Sequence, residues 1–162
     1  VHPDGRGAGV WVRRSKNVRI DGIVVSQLPI GQCDSVELMN VKSISYYGWG
    51  DGMDVFSSSN VILDGVFCRN SDDCAAVYAS TQGFKGGSNN VLVKNATLWA
   101  DVAHPINIGG HGDPNGMDTV QNVTFRNIDI LDQAEKQIDY QGCLAINPGD
   151  NTLVRNLSLI HI

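Results

Sequence analysis

The stretch Asn60-Val-Ile-Leu-Asp-Gly-Val66 sets Val61 and Leu63 on one face of an extended segment, between two turn-forming positions. Its pattern is Asn, apolar, any, apolar, any, Asn or Gly, apolar. The same pattern returns as NVRIDGI at 17–23, NVLVKNA at 90–96, NVTFRNI at 122–128 and NTLVRNL at 151–157, with a weaker copy, SVELMNV, at 35–41. Each copy reads as a short strand that begins and ends at residues tolerant of left-handed backbone. The intervals between starts are 18, 25, 30, 32 and 29 residues. One strand per interval, flanked by other short apolar runs, describes a coil of strands, so the expected architecture is an all-β parallel β-helix with each repeat forming one rung. Stacked rungs bury the inward Val, Ile and Leu and let Asn side chains ladder at the turns. A β-sandwich with coincidental Asn-Val pairs is the alternative, and six spaced copies argue against it.

Composition agrees. Of 17 acidic residues, 15 are Asp and 2 are Glu, with 18 Gly, 14 Asn, and 31 Val plus Ile. Asp, Asn and Gly favour turns, and Val and Ile favour pleated surfaces, so a helical protein is excluded. A net charge of −5 with no basic run disfavours nucleic-acid binding, and no apolar stretch is long enough to span a bilayer as a helix. Val1 to Gly9 (VHPDGRGAG) carries no signal-peptide pattern. The reading is one domain over residues 1–162, cut from a longer solenoid and lacking end caps, because rung sequence starts at once and LSLIHI at 157–162 stops within a rung. Cys33, Cys68, Cys74 and Cys143 show no CxxC pair, which disfavours structural zinc. Free buried Cys is the expectation, with one disulfide left open.

Two acidic groups stand apart from turn-type Asp: Gly50-Asp51-Gly52-Met53-Asp54 and Asn70-Ser71-Asp72-Asp73-Cys74. Asp51 and Asp72 are 21 residues apart, about one rung. Neighbouring rungs stack roughly 5 Å apart, so Asp51, Asp72 and Asp73 can share one patch, provided a bend lets both adjacent Asp face the same cleft. Clustered carboxylates raise one another's pKa, and one can hold a proton while others stay ionised. Glycoside hydrolysis needs that division. A calcium site is the other functional reading of such a cluster, and turn chemistry is the structural one.

These residues resemble a known family. Asp51-Gly-Met-Asp54, then Asn70-Ser-Asp-Asp-Cys74, then a His followed by Ile-Asn-Ile-Gly, look like the right-handed β-helix glycoside hydrolases of family 28 (the polygalacturonase family), which are related to the family 49 dextranases. The resemblance implies a right-handed solenoid and an inverting glycosidase. Asp72 would be the general acid, and Asp51 and Asp73 would activate water. The site His has two candidates. His104-Pro105-Ile106-Asn107-Ile108-Gly109 matches the residues just after the family His, whereas Gly110-His111-Gly112 copies its three-letter motif. His104 is preferred as the partner tuning the carboxylates, with His111 as a substrate-binding residue. His2 and His161 are read as incidental. No metal and no cofactor are expected. The implied partner is a polysaccharide or oligosaccharide, pectin-like or related, met by a secreted or periplasmic monomer.

The sequence also departs from the family pattern. Trp49-Gly50 stands where the family has Asn-Thr, and the Arg-Ile-Lys motif that grips a uronate has no match, the nearest rung reading Leu144-Ala145-Ile146-Asn147. Lys136 and Arg126 are the remaining candidates for that grip, and a neutral or modified glycan becomes a reasonable substrate. Tyr46, Tyr47, Trp49, Trp99 and Tyr140 fall near the site segments and suit sugar stacking, but core packing is the more common fate of such rings. Asn95, Asn122 and Asn156 fit glycosylation sequons that repeat chemistry already explains. The rivals to a glycosidase are a calcium-dependent β-helix lyase and a non-catalytic glycan-binding or structural shaft.

Overall fold

The computed structural model describes residues 7–136, 138 and 142–162, so His2 and Tyr140 lie outside the described residues. Its described elements are all strands and turns. The strands fall on three faces of a coil. The first face stacks Val12–Arg13, Ile30–Gly31, Met53–Phe56, Ala75–Tyr78, Ile106–Ile108 and Leu144–Ile146 in sequence order. The second stacks Lys16–Asp21, Asp34–Met39, Ser59–Asp64, the long strands Ser88–Ala100 and Thr119–Gln133, and Leu153–Ile160. The third stacks Val24–Val25, Lys42–Ile44 and Phe67–Asn70, then continues onto the C-terminal parts of the two long strands. Every pairing between these strands is parallel, with each rung lying on the next. The chain is a parallel β-helix.

The repeat is explained by its backbone. Its first position is left-handed in every rung: Asn17, Ser35, Asn60, Asn90, Asn122 and Asn156 have φ between 54° and 59°. Its sixth position is left-handed as well, at Asn40, Asn95, Asn127 and His161 (φ 52–55°) and at Gly22 and Gly65 (φ 72° and 65°). Asn and Gly recur there because most side chains are strained in that region. The amides also ladder: Asn90 Nδ2 donates to Asn60 Oδ1 at 2.6 Å and Asn122 Nδ2 to Asn89 Oδ1 at 2.8 Å. The sequon residues Asn95, Asn122 and Asn156 are members of these turns.

The sixth repeat differs from its expected position. Val123 pairs with Leu157, and Asn156 Nδ2 donates to Asn122 Oδ1 at 3.1 Å. The rung therefore begins at Asn156, not Asn151, and His161 fills the second turn with Nδ1 3.2 Å from Asn127 Oδ1. Asn151 misled because it, too, is left-handed (φ 59°), in the turn just ahead of the strand.

Inward side chains form one continuous core that includes Val36, Leu38, Val55, Leu63, Val93, Leu98, Ile106, Ile108 and Phe125, all fully buried. The cysteine expectation is corrected in part. Cys68 and Cys74 form a disulfide across the Asn70–Asp73 bend, whereas Cys33 is free and buried and Cys143 free and exposed. A bend brings the two half-cystines together, a proximity that sequence spacing alone does not show. No helix among the described residues is long and apolar enough to cross a membrane.

The first face departs from ordinary sheet patterning. Met53 and Val55 point into the core, yet the outward Asp54 and Phe56 are buried too, as are Ala76, Tyr78 and Asn107 on the next rungs. The outward side chains pack on one another: Phe56, Ala76, Tyr78 and Phe84 cluster with Trp11, and the acidic residues lie beside that cluster.

Candidate active site

Register fixes which residues meet. Met53 pairs with Ala75, and Ala75 with Ile106. Gly52 N–H donates to the Asp73 carbonyl at 2.7 Å, and Cys74 N–H to the His104 carbonyl at 3.0 Å. Asp51, Asp73 and His104 therefore occupy equivalent positions on three successive rungs. Asp72 stands one residue out of that column, so the in-register neighbour of Asp51 is Asp73. The chain bends at Ser71 and Asp72, which turns both adjacent carboxylates toward the same cleft.

Local chemistry holds these segments in place. The buried Asn70 amide donates to the carbonyls of Gly50 at 2.9 Å and Asp51 at 2.7 Å. Gly52 is pressed against the Cys74 carbonyl and the Cys68 sulfur so closely that no Cβ fits there. Ser71 Oγ donates to the Tyr47 carbonyl, which ties the Tyr46–Trp49 loop to the Asp72 bend.

Asp73 is the most elaborately held group. Its Oδ2 accepts the Tyr78 hydroxyl at 2.6 Å and Asn107 Nδ2 at 2.7 Å. Its Oδ1 accepts the His104 backbone N–H at 2.8 Å and lies 3.4 Å from His104 Nδ1. Burial pulls the Asp73 pKa up, but the hydrogen bonds from His104, Tyr78 and Asn107 outweigh it and hold the carboxyl below its usual range. Asp51 goes the other way. Burial, aided by the charges of Asp72 and Asp73, pushes it up to about 7, against a hydrogen bond from Asp54 that lowers it. Asp54, 2% exposed, is raised well above its usual range by burial, the Asp51 charge and its hydrogen bond to Asp51. Burial thus favours the neutral form of Asp54 beside Asp51. Asp72 is raised by burial and by the Asp73 charge, although its Oδ1 accepts the Asp73 N–H at 3.0 Å.

The three expected carboxylates Asp51, Asp72 and Asp73 line one cleft of about 210 Å³, together with Trp49, Phe56, Tyr78, Gln82, Asn107, His111 and Asn147. The two His candidates separate by depth. His104 is 1% exposed beneath Asp73, and His111 is exposed on the rim with its ring 5.0 Å from that of Tyr78. Lys136 and Arg126 are solvent-exposed and do not line the cleft. Trp99 is also elsewhere, under the Arg69 guanidinium at 4.2 Å. Trp49 is not packed in the core: it lies 80% exposed on the rim. Sequence reasoning gave no role to Tyr78, Asn107 or Asp54. Their signal is alternation, since all three are outward positions on strands adjoining the Asp groups. Among the described residues no group of three or more His, Cys, Asp or Glu side chains is arranged to hold a metal ion.

A parallel β-helix with paired acidic segments on successive rungs of one face invites comparison with known solenoids. The family model described as "Glycosyl hydrolases family 28" matches residues 9–138, and the chain belongs to that family. Similar curated proteins include an exopolygalacturonase of Cochliobolus carbonum, 34% identical over 86 residues, which is 52% of this chain and 17% of that protein. Exopolygalacturonase X of Aspergillus niger is 30% identical over 126 residues, 77% of this chain and 24% of that protein. A probable endo-xylogalacturonan hydrolase A of Aspergillus fumigatus is 34% identical over 85 residues, 52% of this chain and 18% of that protein. The matched segments span about a quarter or less of these relatives' lengths. No solved structure gives a significant match.

Proposed function

We propose that this chain carries the catalytic centre of a secreted, monomeric glycosidase that hydrolyses a pectic or related polysaccharide by single displacement with inversion. The observation that carries the reading is the sharing of one cleft by Asp51, Asp72 and Asp73. Asp72, raised by burial and by its anionic neighbour, is the general acid that protonates the leaving oxygen. Asp51, ionised once the pH passes its raised value of about 7, is the base that takes a proton from water. Asp73 supports that water as a fixed anion and stabilises the positive charge that builds on the sugar ring. His104 positions Asp73 from below, and His111 contacts substrate from the rim.

Incubation of the protein with a panel of pectic and neutral polysaccharides, with assay of new reducing ends, tests the reading. Release of reducing sugar without new ultraviolet absorbance is expected. Products absorbing through a new double bond would instead indicate β-elimination, and binding without turnover a non-catalytic shaft.

A further inference from the structure

We propose that Trp49 is the stacking platform of a sugar subsite at the mouth of the carboxylate cleft, and that the ring it takes is an uncharged pyranose. The inference rests on the glycosidase reading above and names the chemical class of sugar bound beside the reacting bond.

Trp49 lines the same cleft as Asp51, Asp72 and Asp73, yet 80% of its surface faces solvent. A large indole exposed on a solenoid rim, two residues from a cleft carboxylate, has no packing role. Its backbone is held at φ 61°, a region that bulky side chains avoid. The neighbours fix it there: Gln27 Nε2 donates to the Trp49 carbonyl at 3.1 Å, and Asn70 Nδ2 to the next carbonyl, that of Gly50, at 2.9 Å. Tyr46 and Tyr47 extend the aromatic surface beside it. Their rings stack at 4.3 Å, and Tyr46 is 79% exposed. The apolar C–H face of a pyranose buries such ring surface while its hydroxyl edge stays free for polar partners. Gln82, Asn147 and His111 line the same cleft and supply them.

Charge selects the ring. The cleft presents three aspartates, and no Lys or Arg is among the described residues lining it. In the outward column that carries Asp54 and Asn107, the register places Ala76 between them and Ala145 beyond. A sugar carboxylate in this subsite faces like charges in a partly desolvated site, which is costly. A hydroxymethyl or methyl-ester substituent carries no such penalty.

Fluorescence gives a direct test, because neither of the other two tryptophans lines the cleft. Trp11 packs against Phe56 and Phe84 at 6.3 and 6.1 Å, and Trp99 lies under Arg69. The protein is titrated with fully methyl-esterified oligogalacturonides and with the same oligosaccharides after de-esterification. Binding is read from tryptophan emission and by calorimetry, in the native chain, Trp49→Ala and Trp49→Phe. Expected results are a saturable emission change, esterified ligand bound at least about tenfold more tightly than its acid form, loss of the change in Trp49→Ala, and partial retention of affinity in Trp49→Phe. Equal or tighter binding of the acid form, an emission change that survives in Trp49→Ala, or no saturable binding of either probe overturns the proposal. Hydrolysis is scored separately. Tight binding of the ester with no cleavage of any glycan defeats the glycosidase reading and leaves the subsite standing.

Discussion

At the scale of single residues, the site turns on how the protein treats chemically identical groups differently. Asp73 is surrounded by donors that hold its pKa down, Asp54 is raised by burial and by Asp51, and Asp51 sits between these extremes. Tyr78 is central to this division. Its hydroxyl donates to Asp73, and its ring stacks on Phe56 one rung away at 5.9 Å. Tyr78→Phe keeps the ring stack and removes the donor. A hydrogen bond to a charged group contributes about 1.5–3 kcal/mol, so the variant should be less stable by that order. Asp73 should also titrate at higher pH, as read by carbon-13 NMR of the carboxyl groups. An unchanged Asp73 titration would contradict the role given to Tyr78. The acidic groups were legible in the sequence because Asp-Asp beside a bend, one rung from Asp-Gly, is an unusual pattern. Tyr78 and Asn107 were not, because an aromatic or Asn at an outward strand position normally meets solvent. Here the aromatic cluster around Phe56 buries Tyr78, and both side chains hydrogen-bond to Asp73. For Trp49 the less common of its two expected fates is the one observed, since a Trp is usually buried and this one lies on a rim.

At the scale of the element, one rung is a strand held between two left-handed corners. This was legible because the corner needs a residue type as well as a place: Asn and Gly recur where φ is positive, and inward apolar residues recur at the second and fourth positions. The sixth rung was misplaced for the same physical reason, since Asn151 and Asn156 are both left-handed and only the cross-rung partner distinguishes them. Substitutions at the Asn90 corner should have graded effects. Asn90→Gly removes the amide bond to Asn60 and keeps the backbone at ease, for a loss of about 1 kcal/mol. Asn90→Ala adds roughly 1–2 kcal/mol of left-handed strain. Urea denaturation of both variants checks the order, and Ala proving no worse than Gly would refute it. The disulfide lay beyond sequence reading because its ring closes over a bend, and only the folded path of residues 68–74 shows the approach.

At the scale of the whole molecule, the solenoid brings together acidic groups from separate coils and makes burial common to all of them. That gives stability a pH dependence of known sign. The raised groups, Asp51 and Asp54, contribute stability that is full below the unfolded carboxylate pKa and is lost as pH rises through their folded values, about 7 for Asp51. Asp73, which is lowered, contributes stability above the unfolded value that is lost as acid protonates it. The melting temperature should therefore fall between pH 5 and pH 7, and fall less in Asp51→Asn. An unchanged melting temperature over that interval would show that Asp51 ionises freely in the folded protein. The parallel coil itself was legible from repeat spacing, whereas the one-residue offset that pairs Asp51 with Asp73 rather than Asp72 needed the register of the first face. The central claim is that these carboxylates form one hydrolytic centre with Asp72 as its acid. Proton NMR of the first product formed from a pectic oligosaccharide, by the native protein and by Asp72→Asn, tests it most directly. The native protein should give an inverted anomer, and the variant a rate at least about a hundredfold lower. A retained anomer, or an Asp72→Asn protein that cleaves at close to the native rate, would contradict it.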